Sequence, residues 1–175
     1  YLDEEKSYKV EDLYLFMNQV DVPKRSFDQG FALKNNELLE VNGQALIEFF
    51  NLNLTSSILA VEDDQVGEYE FAIVSDDGAR LSLGDSLSDK EIYLESLSTH
   101  APKMICHTGA SNHSRFISIS RDKPVDMLLN YFQGPRYHIA LQMIWRKKDE
   151  EHAPSSYCGK GISSIDFANL LNEGW

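Results

Sequence analysis

Gly67-Glu68-Tyr69-Glu70-Phe71-Ala72-Ile73-Val74-Ser75-Asp76-Asp77-Gly78-Ala79-Arg80-Leu81 is the stretch on which the fold turns. Glu68 to Val74 is rich in aromatic and β-branched side chains, which suit a pleated, half-buried surface. Val66-Gly67 marks a turn ahead of it. Beyond Ser75-Asp76-Asp77-Gly78 the apolar alternation resumes in Arg80-Leu81-Ser82-Leu83. The pattern predicts two strands with Asp-Asp-Gly in the tight connection between them.

The same periodicity extends outward. Leu46-Ile47-Glu48-Phe49-Phe50-Asn51-Leu52-Asn53-Leu54 opens with an apolar cluster and then alternates with period two. Arg115 to Ser120 alternates, Val125 to Phe132 follows a Lys123-Pro124 break, and Tyr137 to Trp145 follows a Gly134-Pro135 turn. Several short strands without strand–helix–strand alternation predict an all-β, antiparallel β-sandwich. On these periods Phe49, Phe50, Phe71, Phe116 and Tyr131 read as core, and Trp145 as a packing residue. Helical signals stay at the ends: a turn or two over Val10 to Val20, and a short helix over Ile165 to Leu171 capped by Ser163 or Ser164. The charged, then Pro/Ser-rich run from Lys147 to Ser156 reads as a linker. The domain plan is a lead-in over 1–21, a sandwich over 22–148 and a tail over 149–175.

Composition narrows the function classes. The 175 residues suit one domain with a substantial core. At 42% hydrophobic and 25% charged, the chain has the make-up of an ordinary globular protein. The net charge of −12, from 28 acids against 16 bases, argues against nucleic acid and anionic membrane surfaces, which reward a basic footprint. It suits a cation-binding protein, although solubility explains it equally well. No apolar run is long enough to span a bilayer. The start at Tyr1, without a methionine or signal-like segment, reads as an excised or processed piece. Cys106 and Cys158 match no zinc or redox spacing. A bridge stapling the tail to the body and two separate buried thiols both remain open.

Adjacent carboxylates on a regular strand point to opposite faces. In a sharp turn both can face one way and offer hard oxygen donors to a calcium-sized ion. Gly78 supplies the conformational freedom for such a turn. The same three letters also build plain hairpin turns.

The stretch from Gly67 to Leu81 closely resembles the signature of PA14 domains, including the fibro-slime type. The flanks agree in order: Val22-Pro23-Lys24-Arg25-Ser26-Phe27-Asp28-Gln29-Gly30-Phe31 ahead of it, the aromatic strand Leu46 to Phe50, and Tyr131-Phe132-Gln133-Gly134-Pro135 followed by a strand ending at Trp145. The resemblance runs from about Val22 to Trp145. It implies a calcium ion (Ca2+) held by two consecutive aspartates, here Asp76 and Asp77, joined by a cis peptide. It implies further ligands from a second loop: the Gln133 side chain and the backbone carbonyls of Pro135 and Tyr137. Neighbouring hydroxyls of a glycan or polysaccharide complete the shell, with no catalysis. Arg136 and Tyr137 flank the metal and are candidate sugar contacts. Many relatives carry an Asn-Asp-Gly-x-His stretch, where this chain has a longer segment from Asp85 to Ser111. His107-Thr108-Gly109-Ala110-Ser111-Asn112-His113 stands in its place, making Asn112 and His113 candidate sugar contacts and leaving sugar preference unassigned.

The expected function is therefore calcium-dependent carbohydrate recognition by a lectin or adhesin module, secreted or displayed on a cell surface. The alternative is a structural or oligomerisation module with a closed or absent metal site. Oligomers within a larger fibre or surface protein are compatible with the sequence but not demanded by it. A remote alternative is an esterase: Gly84-Asp85-Ser86-Leu87 resembles the nucleophile block of GDSL esterases, with Asp149-Glu150-Glu151-His152 mimicking their Asp-x-x-His pair. The missing α/β alternation and the mid-chain Ser86 count against it. A zinc site at Cys106, His107 and His113 has no spacing rule behind it. Asp63-Asp64 reads as a solvated turn.

Overall fold

The computed structural model describes residues 17, 19–33, 37–86, 88–107, 116–149, 155–161 and 169–175. They form an all-β sandwich of two antiparallel sheets. The first sheet runs β1 (Asp21–Ser26), β11 (His138–Lys147), β5 (Gly67–Asp76) and β8 (Lys103–Cys106), and β9 (Ile117–Ile119) also pairs with β5. The second runs β4 (Phe50–Ile58), β10 (Val125–Gln133), β6 (Gly78–Gly84) and β7 (Lys90–Ser96). A small ribbon, β2 (Glu40–Val41) and β3 (Gln44–Ala45), precedes β4.

Period-two alternation builds the core. Along β10, Val125, Met127, Leu129, Tyr131 and Gln133 are buried, while the residues between them are half-buried. They meet Phe71 and Ile73 of β5 and Ile139, Leu141 and Met143 of β11 across the sandwich. Each fully buried leucine-sized side chain stabilises by about 1.5–3 kcal/mol relative to exposure. Phe31, Phe50 and Tyr131 cluster edge-on and tilted beneath one end of the sandwich, with centroids 5.9–6.0 Å apart.

β5 is apolar on both faces because both are covered. Ala72 and Val74 point away from the main core into a second cluster with Met104, Cys106 and Leu170, flanked by Ile144, Tyr157, Cys158 and Trp175. The C-terminal segment therefore lies on the first sheet. Cys106 and Cys158 are bridged, with Cα atoms 5.5 Å apart, so the alternative of two free thiols falls away. Glu70 and Arg146 form a buried ion pair through two hydrogen bonds of 2.9–3.0 Å. The Arg146 guanidinium lies 4.5 Å from the Trp175 ring centre and donates to the Glu173 carbonyl.

The structure departs from the sequence expectations in several places. Strand β4 starts at Phe50 rather than Leu46, and Phe49 is 55% exposed at φ 56°, not core. Trp145 stands opposite Phe71 in the ladder but is half-exposed, and Phe116 is half-buried beneath the Lys148 ammonium. The segment after Ser86 builds β7 and β8. Asp63–Gln65 is an exposed 3-10 turn with Asp63 bonded to Arg121. Most of the expected Val10–Val20 helix lies outside the described residues, as do 162–168; the described end of the C-terminal helix is Asn169–Leu170, followed by a 3-10 turn over Leu171–Glu173. No helix among the described residues is long and apolar enough to cross a membrane.

Candidate functional site

Asp76-Asp77-Gly78 does not close a hairpin. β5 ends at Asp76 in the first sheet and β6 begins at Gly78 in the second, so Asp77 alone carries the chain from one layer to the other. The Asp76–Asp77 peptide bond is cis. Gly78 is required for the close approach: a Cβ there would stand 2.0 Å from the Phe132 ring and 2.7 Å from the Ser96 carbonyl.

Asp77 ties two loops to this crossing. Its Oδ1 accepts the His100 N–H at 2.8 Å, from the β7–β8 connection. Its Oδ2 accepts the Gly134 N–H at 2.7 Å, from the β10–β11 connection. Gly134 permits that contact, since a Cβ would meet the same carboxylate oxygen at 2.7 Å and the Thr99 methyl at 3.0 Å. Below, the buried Tyr131 hydroxyl reaches both the Asp76 carbonyl and Gln133 Oε1, and Gln133 Nε2 donates to the His138 carbonyl at 2.9 Å. Burial, reinforced by Asp76 and Asp77, raises the Tyr131 phenol, which stays protonated as a donor.

Asp76 is held differently. It is only 3% exposed, yet among the described residues no donor hydrogen-bonds its carboxylate. Its ion-pair partner is His138, with Nδ1 at 3.9 Å. Burial, then the neighbouring Asp77 charge, pushes Asp76 up to about 7, against a lowering by Lys24. Burial and Lys24 lower the His138 imidazole, which weakens it as a compensating cation near neutral pH. Burial likewise lowers His100, whose Nε2 is buried without a partner while Nδ1 contacts the Ala101 carbonyl at 3.0 Å.

The second loop forms the rim. Pro135, Arg136 and Tyr137 are exposed, with Tyr137 at 80% and φ 96°. The Tyr137 carbonyl accepts the Phe27 N–H at 3.2 Å. Glu48 receives the Arg136 N–H at 3.3 Å and lies 3.9 Å from its guanidinium Nε. Phe49 N–H donates to the Gly134 carbonyl at 3.3 Å, which brings a second exposed aromatic to the same loop.

The fold thus brings together Asp76, Asp77, Gln133 and the loop through Tyr137. Asn112 and His113 lie outside the described residues. His100, Thr99, Phe49, Lys24 and His138 were missed, because their approach depends on pairing between distant strands rather than on any local motif. Asp76 and Asp77 fit a hard, oxygen-preferring cation, and Gln133 Oε1 keeps a second lone pair beside the one facing Tyr131. No cluster of three or more His, Cys, Asp or Glu suited to a metal occurs among the described residues, so an ion here would draw on amide and carbonyl oxygens as well. Cys106 is consumed in its disulfide, which removes the zinc alternative built on that thiolate, and the His107 ring lies tilted against Tyr93 with centroids 5.2 Å apart. Ser86 Oγ faces Ser88 Oγ at 3.1 Å and Asp85 pairs with Lys123; His152, the proposed esterase partner, lies outside the described residues. No family model, curated protein or solved structure matches the chain.

Proposed function

We propose that the chain is a calcium-dependent carbohydrate-binding module of a secreted or cell-surface adhesin, with Asp76 and Asp77 at its site. The observation that carries this is the pairing of two adjacent carboxylates, 3% and 4% exposed, of which Asp76 meets no hydrogen-bond donor among the described residues. Burying neighbouring like charges is costly unless a cation compensates. Calcium, when bound, supplies that charge and open coordination positions for neighbouring sugar hydroxyls. Asp76 and Asp77 would present their oxygens to it, with Gln133 and the carbonyls of Pro135 and Tyr137 from the facing loop. The aspartates also accept hydrogen bonds from the sugar hydroxyls. Arg136 and the exposed Tyr137 ring supply a donor and a stacking face at the rim. The disulfide suits an oxidising, extracellular setting.

The competing role is structural, and Asp77 favours it: both its oxygens already clasp backbone N–H groups. Thermal unfolding with calcium and with chelator separates the two. Asp76→Asn is the informative variant, since it removes charge from a carboxylate that accepts no hydrogen bond among the described residues. Calcium binding to the folded state must raise apparent stability. A rise in the wild type that is absent in Asp76→Asn supports a calcium site at Asp76 and calls for the glycan screen that separates a lectin from a closed structural site; no response in either protein leaves the clasp alone.

A further inference from the structure

The two sheets offer edges of very different character. β1 carries Pro23, Asp21, Lys24 and Arg25, and its register slips between Val22 and Arg25. β7 carries Lys90, Glu91 and Glu95 and has a register shift against β6. β8 is four residues long and is bridged by Cys158 and Gly161 of the C-terminal segment. Proline, charge, bulges, shortness and a covering segment are the devices by which sheets avoid pairing with other chains.

β4 has none of them. Phe50-Asn51-Leu52-Asn53-Leu54-Thr55-Ser56-Ser57-Ile58 is nine residues long, without a charge, proline or glycine. It pairs residue for residue with β10, with no register shift from Ile58 to Phe50. Among the described residues nothing pairs with its other edge, and Asn51, Asn53, Thr55, Ser56 and Ser57 are exposed.

We infer that the free edge of β4 is an interaction surface for a second copy of this chain, the two strands pairing antiparallel about a two-fold axis at Leu54. The sequence is self-complementary in that register. Phe50 stands opposite Ile58, Leu52 opposite Ser56 and Leu54 opposite its own copy on the core-side face. On the other face Asn51 meets Ser57 and Asn53 meets Thr55, so short polar groups face each other. For a chain of net charge −12, a neutral strand is a place where two copies can meet without setting charge against charge. The contact is isologous, which a closed dimer requires. Gln133 pairs with Phe50 at one end of β4, so the antiparallel dimer places the two candidate sites at opposite ends, about 27 Å apart along the strands. The interface itself is independent of calcium and sugar.

The test is sedimentation velocity over a concentration series. The protein is made in the periplasm of a bacterial host, where the Cys106–Cys158 disulfide forms and the glycosylation sequon Asn53-Leu54-Thr55 stays unmodified. The wild type is expected to dimerise in calcium and in chelator alike. Asn53→Lys with Thr55→Lys sets lysine opposite lysine twice and is expected to weaken the dimer about tenfold or more. Asn53→Lys with Thr55→Glu sets lysine opposite glutamate and is expected to keep it. Both positions are exposed, and unfolding curves of the dilute variants check that they fold. A wild type that stays monomeric at every concentration, or a double-lysine variant that dimerises as tightly as the wild type, overturns the inference.

Discussion

Strand β5 buries two carboxylates with opposite provisions. Glu70 meets the Arg146 guanidinium through two hydrogen bonds, under a cover made by Trp175 and Glu173 of the C-terminal segment. Asp76 sits beside Asp77 and has a lowered histidine at 3.9 Å as its ion-pair partner. Both are almost fully buried. The difference separates a finished structural contact from an incomplete one. A paired buried charge fixes the packing around it, whereas an unpaired carboxylate is held toward its neutral form by burial and is open to compensation by a cation.

The comparison can be broken at either end. The largest effect is expected at Glu70: Arg146→Met removes its guanidinium and should cost about 3–5 kcal/mol in a denaturant titration. Glu70→Leu with Arg146→Met should regain most of that loss, because the pair can be exchanged for apolar packing. Next comes calcium. At about a hundredfold its dissociation constant it should add about 2.7 kcal/mol to the wild type. It should add nothing to Asp76→Asn and leave the Arg146→Met deficit in place. Asp77→Ala leaves the N–H groups of His100 and Gly134 without their acceptor and should cost about 1–3 kcal/mol even without calcium.

A further effect is on pH dependence. In the metal-free protein Asp76 titrates near about 7, above its ordinary value of 3.8. The folded state therefore holds its proton more tightly than the unfolded state. The stability this group contributes is fully present below about pH 4 and is lost as the pH rises through 7. Asp76→Asn should flatten that part of the profile measured in chelator. A wild-type profile with the same slope as the variant would remove the contrast between Asp76 and Glu70.

Much of this was legible in the residues. Runs of β-branched and aromatic residues bounded by turn signals marked β5, β6, β10 and β11 closely, with period-two alternation added in β6 and β11. Asp76 and Asp77 stood out in the sequence, the family resemblance added Gln133 and the loop through Tyr137, and all of these meet at one end of the sandwich. What escaped depends on distant partners. Lys90 to Ser96 and Lys103 to Cys106 read as an unassigned segment, because β7 is a charged edge and β8 is short and completed by residues far along the chain. Phe49 looked like core by period, yet the chain turns there at positive φ before β4 begins, which swings the ring outward. The tail looked like an appendage. Its packing rests on Arg146, Trp175 and the disulfide, and no local pattern reveals which strand face they cover.

The most direct measurement is binding of the wild type and Asp76→Asn to an immobilised glycan panel, in calcium and in chelator. The expected result is retention of the wild type on a set of glycans in calcium, abolished by chelator and absent from Asp76→Asn. Retention that persists equally in chelator and in the variant, or no retention of the calcium-loaded wild type on any glycan, would contradict a calcium-dependent lectin centred on Asp76 and Asp77.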